Sequence, residues 1–496
     1  MERKKHKTAL VVRPDETEKL REQVRKLEHE LEQARKQIGQ QEKDIQKLEK
    51  ELTEDRKNST NSSKPPSSDG LAGPQRERGR KGCANKAKSK RKPGGQTGHP
   101  GRHRKLAEPD KVSETIEIAP PECSGCGLKF SSQAKANQRI GEPSRHQVVD
   151  LPPIEAWVTE YQCLTLECPS CGRETRAAVP PEANQQLGPR LTALVAYLTV
   201  SCRMPRRVVQ RYLEAALHIE ISLGSTQKCW EQVSEAVATP YEELERQLAS
   251  EPVLNGDETG WRLNGDKRWI WALVASRFTV YAVMTGRGTS ELVALLGAVF
   301  SGILCSDRLP TYAKYHKGKS QYCWAHLKRN LQAILDQGKH WKQERFARDA
   351  LALCASLFRL WWKFRHGKID RAQMIERSKR IRRGFRALAE KWWDCEFREV
   401  ANMANLFGQY ADRLFCFFEE EGVEPTNNRA EQALRTAVQW RKTSFGNRSH
   451  AGSVATARLL TVAQTCRQQK RDTLGFLTEA VSCHRRRCPA PSLLPR

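Results

Sequence analysis

No stretch of this 496-residue chain is apolar for long enough to cross a membrane, and its first residues, MERKKHKTAL, lack the apolar core of a secretory signal. Membrane and exported classes are therefore set aside, and the cytoplasm is the expected compartment. Cysteine is too sparse for a disulfide framework, 16 residues in all. Cys354, Cys416 and Cys466 stand singly inside apolar helical runs, where a reduced thiol packs as a small hydrophobe. Acid is also short: 58 Asp and Glu face 85 Lys and Arg, a net charge of +27. Such a balance points to a polyanionic partner, nucleic acid ahead of a membrane surface. The length exceeds what one core holds, so three or more units are expected.

The pattern along the chain divides it. In residues 15–56, Val24, Leu31, Ile38, Ile45 and Leu52 recur at every seventh position, and Leu20, Leu27, Ala34, Gln41 and Leu48 fill the companion seam. Charged residues and glutamines surround both seams. The segment reads as a coiled coil of about five heptads, with homodimerisation or higher self-association, against the alternative of one solvated helix packing on its own protein. Residues 57–110 are Gly-, Pro-, Ser- and Lys/Arg-rich and nearly empty of aliphatics, a flexible basic arm suited to salt-dependent phosphate contact or to a plain linker.

Residues 111–180 hold two CxxC knuckles, Cys123 with Cys126 and Cys168 with Cys171, among strand-rich sequence (VSETIEI, HQVVDLP, IEAWVTEYQCL). Four thiolates fit structural, tetrahedral Zn²⁺ in a zinc ribbon. Without a spare His or carboxylate in the knuckles, catalytic zinc is not indicated. Residues 185–250 read as all-helical. Arg203, Arg206, Arg207 and Arg211 lead to a short break, and Ser222 then stands as N-cap of a helix carrying Thr226, Gln227 and Lys228. The shape is that of a helix-turn-helix, with Arg203, Arg206, Arg207 and Lys228 as candidate DNA contacts.

From 251 to 330 the order is strand, strand, strand, helix, strand: EPVLNGDETGW, KRWIWALVASR, FTVYAVMTGRG, TSELVALLGAVF and SGILCSDRLPTY. This is the start of a ribonuclease-H-like sheet, in which the first and fourth strands are neighbours and bring Asp257 and Asp307 to one end. Carboxylates held that close repel unless a cation lies between them. Residues 331–423 form a helical insertion whose Trp361, Trp362, Trp392 and Trp393 are expected in its core, and residues 424–480 return to the sheet domain. Glu431 opens a helix there. It is either a third metal carboxylate or, three residues after Asn428, a backbone cap. Arg429, Arg435, Arg441 and Lys442 surround it as a phosphate-binding surface would require. His326 in CWAH is a phosphate-positioning or proton-moving candidate, or a buried helix-start residue. Two aspartates and a glutamate suit Mg²⁺ (or Mn²⁺), a pair of which clamps both oxygens of an in-line phosphoryl transfer.

Together these residues resemble the transposases of the insertion sequence 66 family over nearly the whole chain. The carriers are NSSKPPSSDG, RKPGGQTGHPG, the CxxC pair, LGPRLTALVAYL, DETGW, SDRLPTY, CWAHLKRNL, NNRAEQALR and WRKTSFGN, in that order. The resemblance implies a DDE transposase, with Asp257, Asp307 and Glu431 in the catalytic positions, that cuts element ends and transfers the strand to target DNA. It also implies an N-terminal zipper, a zinc-binding segment and a helix-turn-helix, with accessory proteins of the element as possible partners. The chain departs from the family pattern at Arg308, Leu309 and Pro310 after the second aspartate, and at Thr426 before the Asn pair. The expected fold is a multidomain α/β protein: a ribonuclease-H-like catalytic domain with a helical insertion, preceded by coiled coil, zinc ribbon and helix-turn-helix. Residues 481–496 form a tail that matches none of these. The rival functions are a DNA-binding relic that no longer cuts and a plain nuclease of the same fold.

Overall fold

The computed structural model describes residues 14–55, 57–58, 60–62, 105–130, 140–180, 183 and 185–494. Most of the basic arm lies outside these residues. They fall into two compact units, one within 76–159 and 212–220, the other within 1–75, 160–211 and 221–496.

The smaller unit carries the first knuckle. An isolated bridge joins Glu122 to Lys129, and the turn closes with the Gly127 N–H on the Cys123 carbonyl at 2.9 Å. Gly127 takes a φ of 72°, which a glycine adopts without a Cβ penalty. The strands expected at VSETIEI, HQVVDLP and IEAWVTEYQCL are not formed, and this corrects the sequence reading. Among these stretches the Leu164 carbonyl accepts the Ala177 N–H at 2.9 Å, next to the β1–β2 hairpin, but no strand forms along them, because alternation of apolar residues does not specify a mate.

The larger unit opens with α1 (Pro14–Asp55), the one continuous helix expected for the heptad segment; Val24, Leu27, Leu31, Ile38, Ile45 and Leu48 along it are exposed. The second knuckle sits on a two-stranded hairpin, β1 (Thr165–Glu167) and β2 (Glu174–Arg176). α2 (Pro189–Val200) begins with proline at its first position, where the missing N–H costs nothing. α3 (Arg206–Leu217), which belongs to this unit only as far as Arg211, and α4 (Leu223–Ala236) follow, and Ser222 caps α4 as its sequence position indicates, its hydroxyl accepting the Ser225 N–H at 3.0 Å. α5 (Ala238–Gln247) leads into the sheet. α2, α4 and α5 are not a separate body: Ala193, Ala196, Trp230, Val233 and Leu244 share one hydrophobic core with Leu254, Ile270, Trp271 and Tyr281 of the sheet.

The sheet is built from β3 (Val253–Leu263), β4 (Asp266–Val274) and β5 (Thr279–Met284), then α6 (Thr289–Leu296), β6 (Ile303–Ser306), α7 (Pro310–Tyr315) and β7 (Ser320–Tyr322). Its spatial order is β5-β4-β3-β6-β7, with β3–β4 and β4–β5 antiparallel and β3–β6 and β6–β7 parallel. The first and fourth strands are therefore neighbours, as the order along the chain predicts. β7 is an addition to the sequence reading.

The insertion consists of α8 (Trp324–Gln337), α9 (Trp341–Arg365), α10 (Arg371–Trp392), α11 (Arg398–Gln409) and α12 (Ala411–Glu419). Its core, with Trp324, Phe346, Phe385, Phe407, Phe415 and Phe417 at the centre, also takes in Ile303 and Cys305 of β6 and Tyr322 of β7. Gln321 of β7 ties it to the sheet: its side-chain oxygen accepts the Phe417 N–H at 2.9 Å and its amide donates to the Leu414 carbonyl at 3.1 Å. The two Trp pairs split, which corrects the expectation that all four lie in the core. Trp392 is buried and Trp361 packs against the core, whereas Trp362 and Trp393 are exposed. Successive helical residues point about 100° apart, and where a helix buries only one side, as here, one Trp of each pair turns toward solvent.

α13 (Asn428–Ser444), α14 (His450–Gln469) and α15 (Thr473–Arg486) close the unit. The WRKTSFGN segment fastens α13 to the end of β3. Phe445 ends the helix in a left-handed conformation, Gly446 at φ 102° leaves no room for a Cβ beside Arg262, and the Asn447 side chain accepts the Trp261 indole N–H at 2.7 Å. The tail expected from 481 is part of the fold. Arg485 donates to the Leu187 carbonyl at 2.8 Å and to Gln232 at 2.7 Å, and Leu493 is buried. No helix among the described residues is long and apolar enough to cross a membrane.

Candidate active site

Alternation along β3 decides which carboxylate faces what. Glu258 is held by Tyr312 of α7, whose hydroxyl donates to it at 2.8 Å. Asn255 and Asp257, two residues apart, point to the opposite face. There the Asn255 amide donates to Asn427 Oδ1 at 3.0 Å, and the Asn427 amide donates to the Gly256 carbonyl at 2.8 Å. These bonds pin the start of α13, and with it Glu431, over the middle of β3. Asp307 follows β6, the parallel neighbour of β3, and its carboxylate accepts the Leu309 N–H at 2.8 Å.

The three acidic residues come near enough for charge to act between them, since Asp257 feels both Asp307 and Glu431. Among the described residues, though, the acidic or metal-ligating group whose ligand atoms all lie within 4.8 Å of one another is Cys323, His326 and Glu431, without the two aspartates. Burial pushes the Asp257 carboxyl well above the usual carboxylate range, and the charges of Glu258, Asp307 and Glu431 push it further against the Glu258 N–H that lowers it. The chain has gathered negative charge where water is scarce, an arrangement stable only with a proton or a cation.

Glu431 does not cap its helix. α13 starts one residue earlier than the sequence reading placed it, with Asn427 as N-cap and no side-chain cap bond, and Glu431 Oε1 is buried without a hydrogen-bond partner. Its neighbours come from α8: His326 Nδ1 lies 3.5 Å from Glu431 Oε1, and the Arg329 guanidinium 3.8 Å away. Burial and the Arg329 charge hold the His326 imidazole below its ordinary range, the Glu431 charge opposing them. The carboxylates offer the oxygen ligands that a hard divalent cation takes, whereas the His326 imidazole beside them does not suit such an ion.

Of the residues expected to touch phosphate, several have partners within the protein. Arg203 donates to Gln439, Arg206 stacks 5.9 Å from the Trp230 ring centroid, Arg429 pairs with Glu424 at 3.4 Å, and Arg441 donates to the Gly260 carbonyl. Arg207, Lys228, Arg435 and Lys442 are exposed. Thr226, named with Gln227 and Lys228 on the expected recognition helix, is buried, and the exposed stripe of α4 also carries Glu231 and Glu235.

Each knuckle favours thiolate on its own. The N–H groups of Cys126 and Gly125 draw the Cys123 thiol below its ordinary range, and those of Ser170 and Cys171 do the same for Cys168.

Sequence reasoning missed Cys323, Arg329, Asn255 and Asn427. Cys323 and His326 stand three apart at a helix start, a spacing that places both on one edge, and this was the available signal. Asn255 carries none, since only the sheet register turns it toward Asn427.

Fold and site define a helix-rich mixed α/β protein with a carboxylate cluster where two parallel strands meet a helix start. A model of the transposase IS66 family matches residues 184–455, more than half of the chain, and the protein belongs to that family. A family of unknown function matches residues 8–105. The chain is also 26% identical over 241 residues to the uncharacterized protein y4qI of Sinorhizobium fredii (strain NBRC 101917 / NGR234). That match spans 44% of this chain and 43% of the length of the relative.

Proposed function

We propose that the protein cuts DNA at the ends of an insertion sequence and joins the freed strand to target DNA, in a ribonuclease-H-like domain with Asp257, Asp307 and Glu431 as metal-binding catalytic residues. The observation that carries this reading is the gathering of carboxylates: Asp257 of β3 is pushed up by burial and by the charges of Asp307 at the end of β6 and Glu431 of α13. The strand order β5-β4-β3-β6-β7 supports the fold assignment.

Asp257, Asp307 and Glu431 would hold two Mg²⁺ (or Mn²⁺). When bound, such ions supply Lewis-acid stabilisation to the attacking and leaving oxygens of an in-line displacement. The rest is positioning by the chain. The Asn255–Asn427 bond fixes the start of α13 against β3, and Arg329 and His326 hold the Glu431 carboxylate from α8. Exposed Arg435 and Lys442 on α13 offer the phosphate backbone its contacts, and Arg207 and Lys228 offer others. In the first step water attacks a phosphodiester at the element end, and the leaving group departs as a 3′-hydroxyl. That hydroxyl then attacks a target phosphodiester and displaces another 3′-oxygen, so the number of ester bonds is conserved and no covalent protein–DNA link is required.

The exposed seam of α1 supports pairing of protomers, which would hold two element ends together. The knuckles Cys123/Cys126 and Cys168/Cys171 are proposed to bind structural zinc. The test is incubation with an oligonucleotide bearing an element end and Mg²⁺. Cleavage with strand-transfer products supports the reading, cleavage alone favours a nuclease, and binding without cleavage favours a DNA-binding relic.

A further inference from the structure

We propose that Cys323, His326 and Glu431 form a second cation site, selective for a borderline-soft divalent ion such as Zn²⁺, which by engaging Glu431 switches the carboxylate cluster off. The switching depends on the function proposed above, but the binding does not.

The site is assembled by two helix starts locked together. Cys323 is the N-cap of α8 and His326 stands one turn on, so the two project from the same edge. Glu431 lies in the first turn of α13. The Trp324 N–H donates to the Pro425 carbonyl at 2.9 Å, and the Asn427 N–H donates to Cys323 Sγ at 3.2 Å. One ligand atom each from Cys323, His326 and Glu431 lies within 4.8 Å of the others, and Cys323 is buried. Zinc bonds of about 2.3 Å to sulfur and about 2.0–2.2 Å to nitrogen and oxygen need ligand atoms about 3.3–3.8 Å apart, a small contraction from this arrangement.

His326 Nδ1 and Glu431 Oε1 are buried and make no hydrogen bond, and they lie 3.5 Å apart, with the Arg329 guanidinium 3.8 Å from Glu431 Oε1 as the charge a bound cation would displace. The third ligand atom, Cys323 Sγ, already accepts a backbone N–H, the interaction that steadies a ligating thiolate. Sulfur and imidazole discriminate against Mg²⁺, which takes oxygen, so this set and the Asp257–Asp307 pair would prefer different ions. On binding, the Cys323 thiol loses its proton to solvent and sulfur gives an electron pair to the metal. Three protein ligands leave the fourth tetrahedral position for water.

Full-length protein with its knuckles filled by Zn²⁺ is titrated with Co²⁺. The expected result is thiolate-to-cobalt charge-transfer absorption together with tetrahedral d–d bands, and Cys323→Ser abolishes the first while His326→Ala weakens the second. Cys123→Ser/Cys126→Ser retains both, which separates this site from the knuckles. Charge-transfer absorption that persists in Cys323→Ser, or its absence from the parent protein, overturns the proposal. In the cleavage assay Zn²⁺ inhibits the parent, and His326→Ala requires about tenfold more Zn²⁺ for equal inhibition, the least expected on losing a ligand. Equal inhibition of both proteins contradicts the switch. A chain that never cuts would undo the functional reading and leave the cobalt result to decide the site.

Discussion

Replacing Asp257 by Asn should make the metal-free protein more stable, not less. Its carboxyl is raised above its unfolded value by burial first and then by the charges of Glu258, Asp307 and Glu431. The folded state thus holds the proton more tightly than the unfolded chain. Stability is full below the ordinary carboxylate range and falls as pH rises from there through the raised value. At neutral pH the ionised group is a net cost, about 1.4 kcal/mol for each unit by which it is raised. Asn removes that cost, and a divalent cation should remove it in the parent. For a site with Kd on the order of 1 mM, 10 mM Mg²⁺ stabilises by about 1.4 kcal/mol, and at 2–4 °C per kcal/mol for a large domain Tm rises by about 3–6 °C. The assay is thermal unfolding at pH 7 with and without Mg²⁺ at fixed ionic strength. The parent should gain a few degrees, while Asp257→Asn should start higher and gain nothing. A metal-free variant less stable than the parent, or equal gains in both, would refute the reasoning.

Other outcomes follow from the same packing. Glu431→Gln should leave the protein folded, because no cap is lost, yet abolish cleavage; loss of the folded state in denaturant unfolding would restore the capping role. Ser222→Ala should cost about 1 kcal/mol, since its hydroxyl accepts the Ser225 N–H, and an unchanged urea midpoint would contradict that cap. Trp324→Ala removes the centre of the insertion core and should cost about 3–5 kcal/mol by the same measurement. Leu31→Glu with Ile38→Glu should lower the mass found by sedimentation if the α1 seam pairs protomers, and an unchanged mass removes that proposal.

How much was legible in the chain varies by element. The order of β3 through β6 was, because each strand is a strong apolar run bounded by turn residues. β7 was not: Ser-Gln-Tyr is short and polar, and it is a strand through its parallel pairing with β6, while the Gln321 side chain is satisfied by α12. The knuckles were legible by spacing, but the strands around them were not, since a sequence specifies extension more readily than pairing. Asp307 could be read from a strand end, but Asp257 could not: β3 runs on through Leu263, and Asp257 lies inside it, two residues past the end of its parallel pairing with β6 at Asn255. Glu431 could not be separated from a cap until the start of α13 at Asn427 was fixed, and the Asn255–Asn427 bond that fixes it depends on register alone.

The most direct measurement is cleavage of an end-bearing oligonucleotide with Mg²⁺ by the parent protein and by Asp257→Asn, with DNA binding recorded for both. The account predicts equal binding, with nicks and strand-transfer products from the parent alone. Nicking by Asp257→Asn would contradict it.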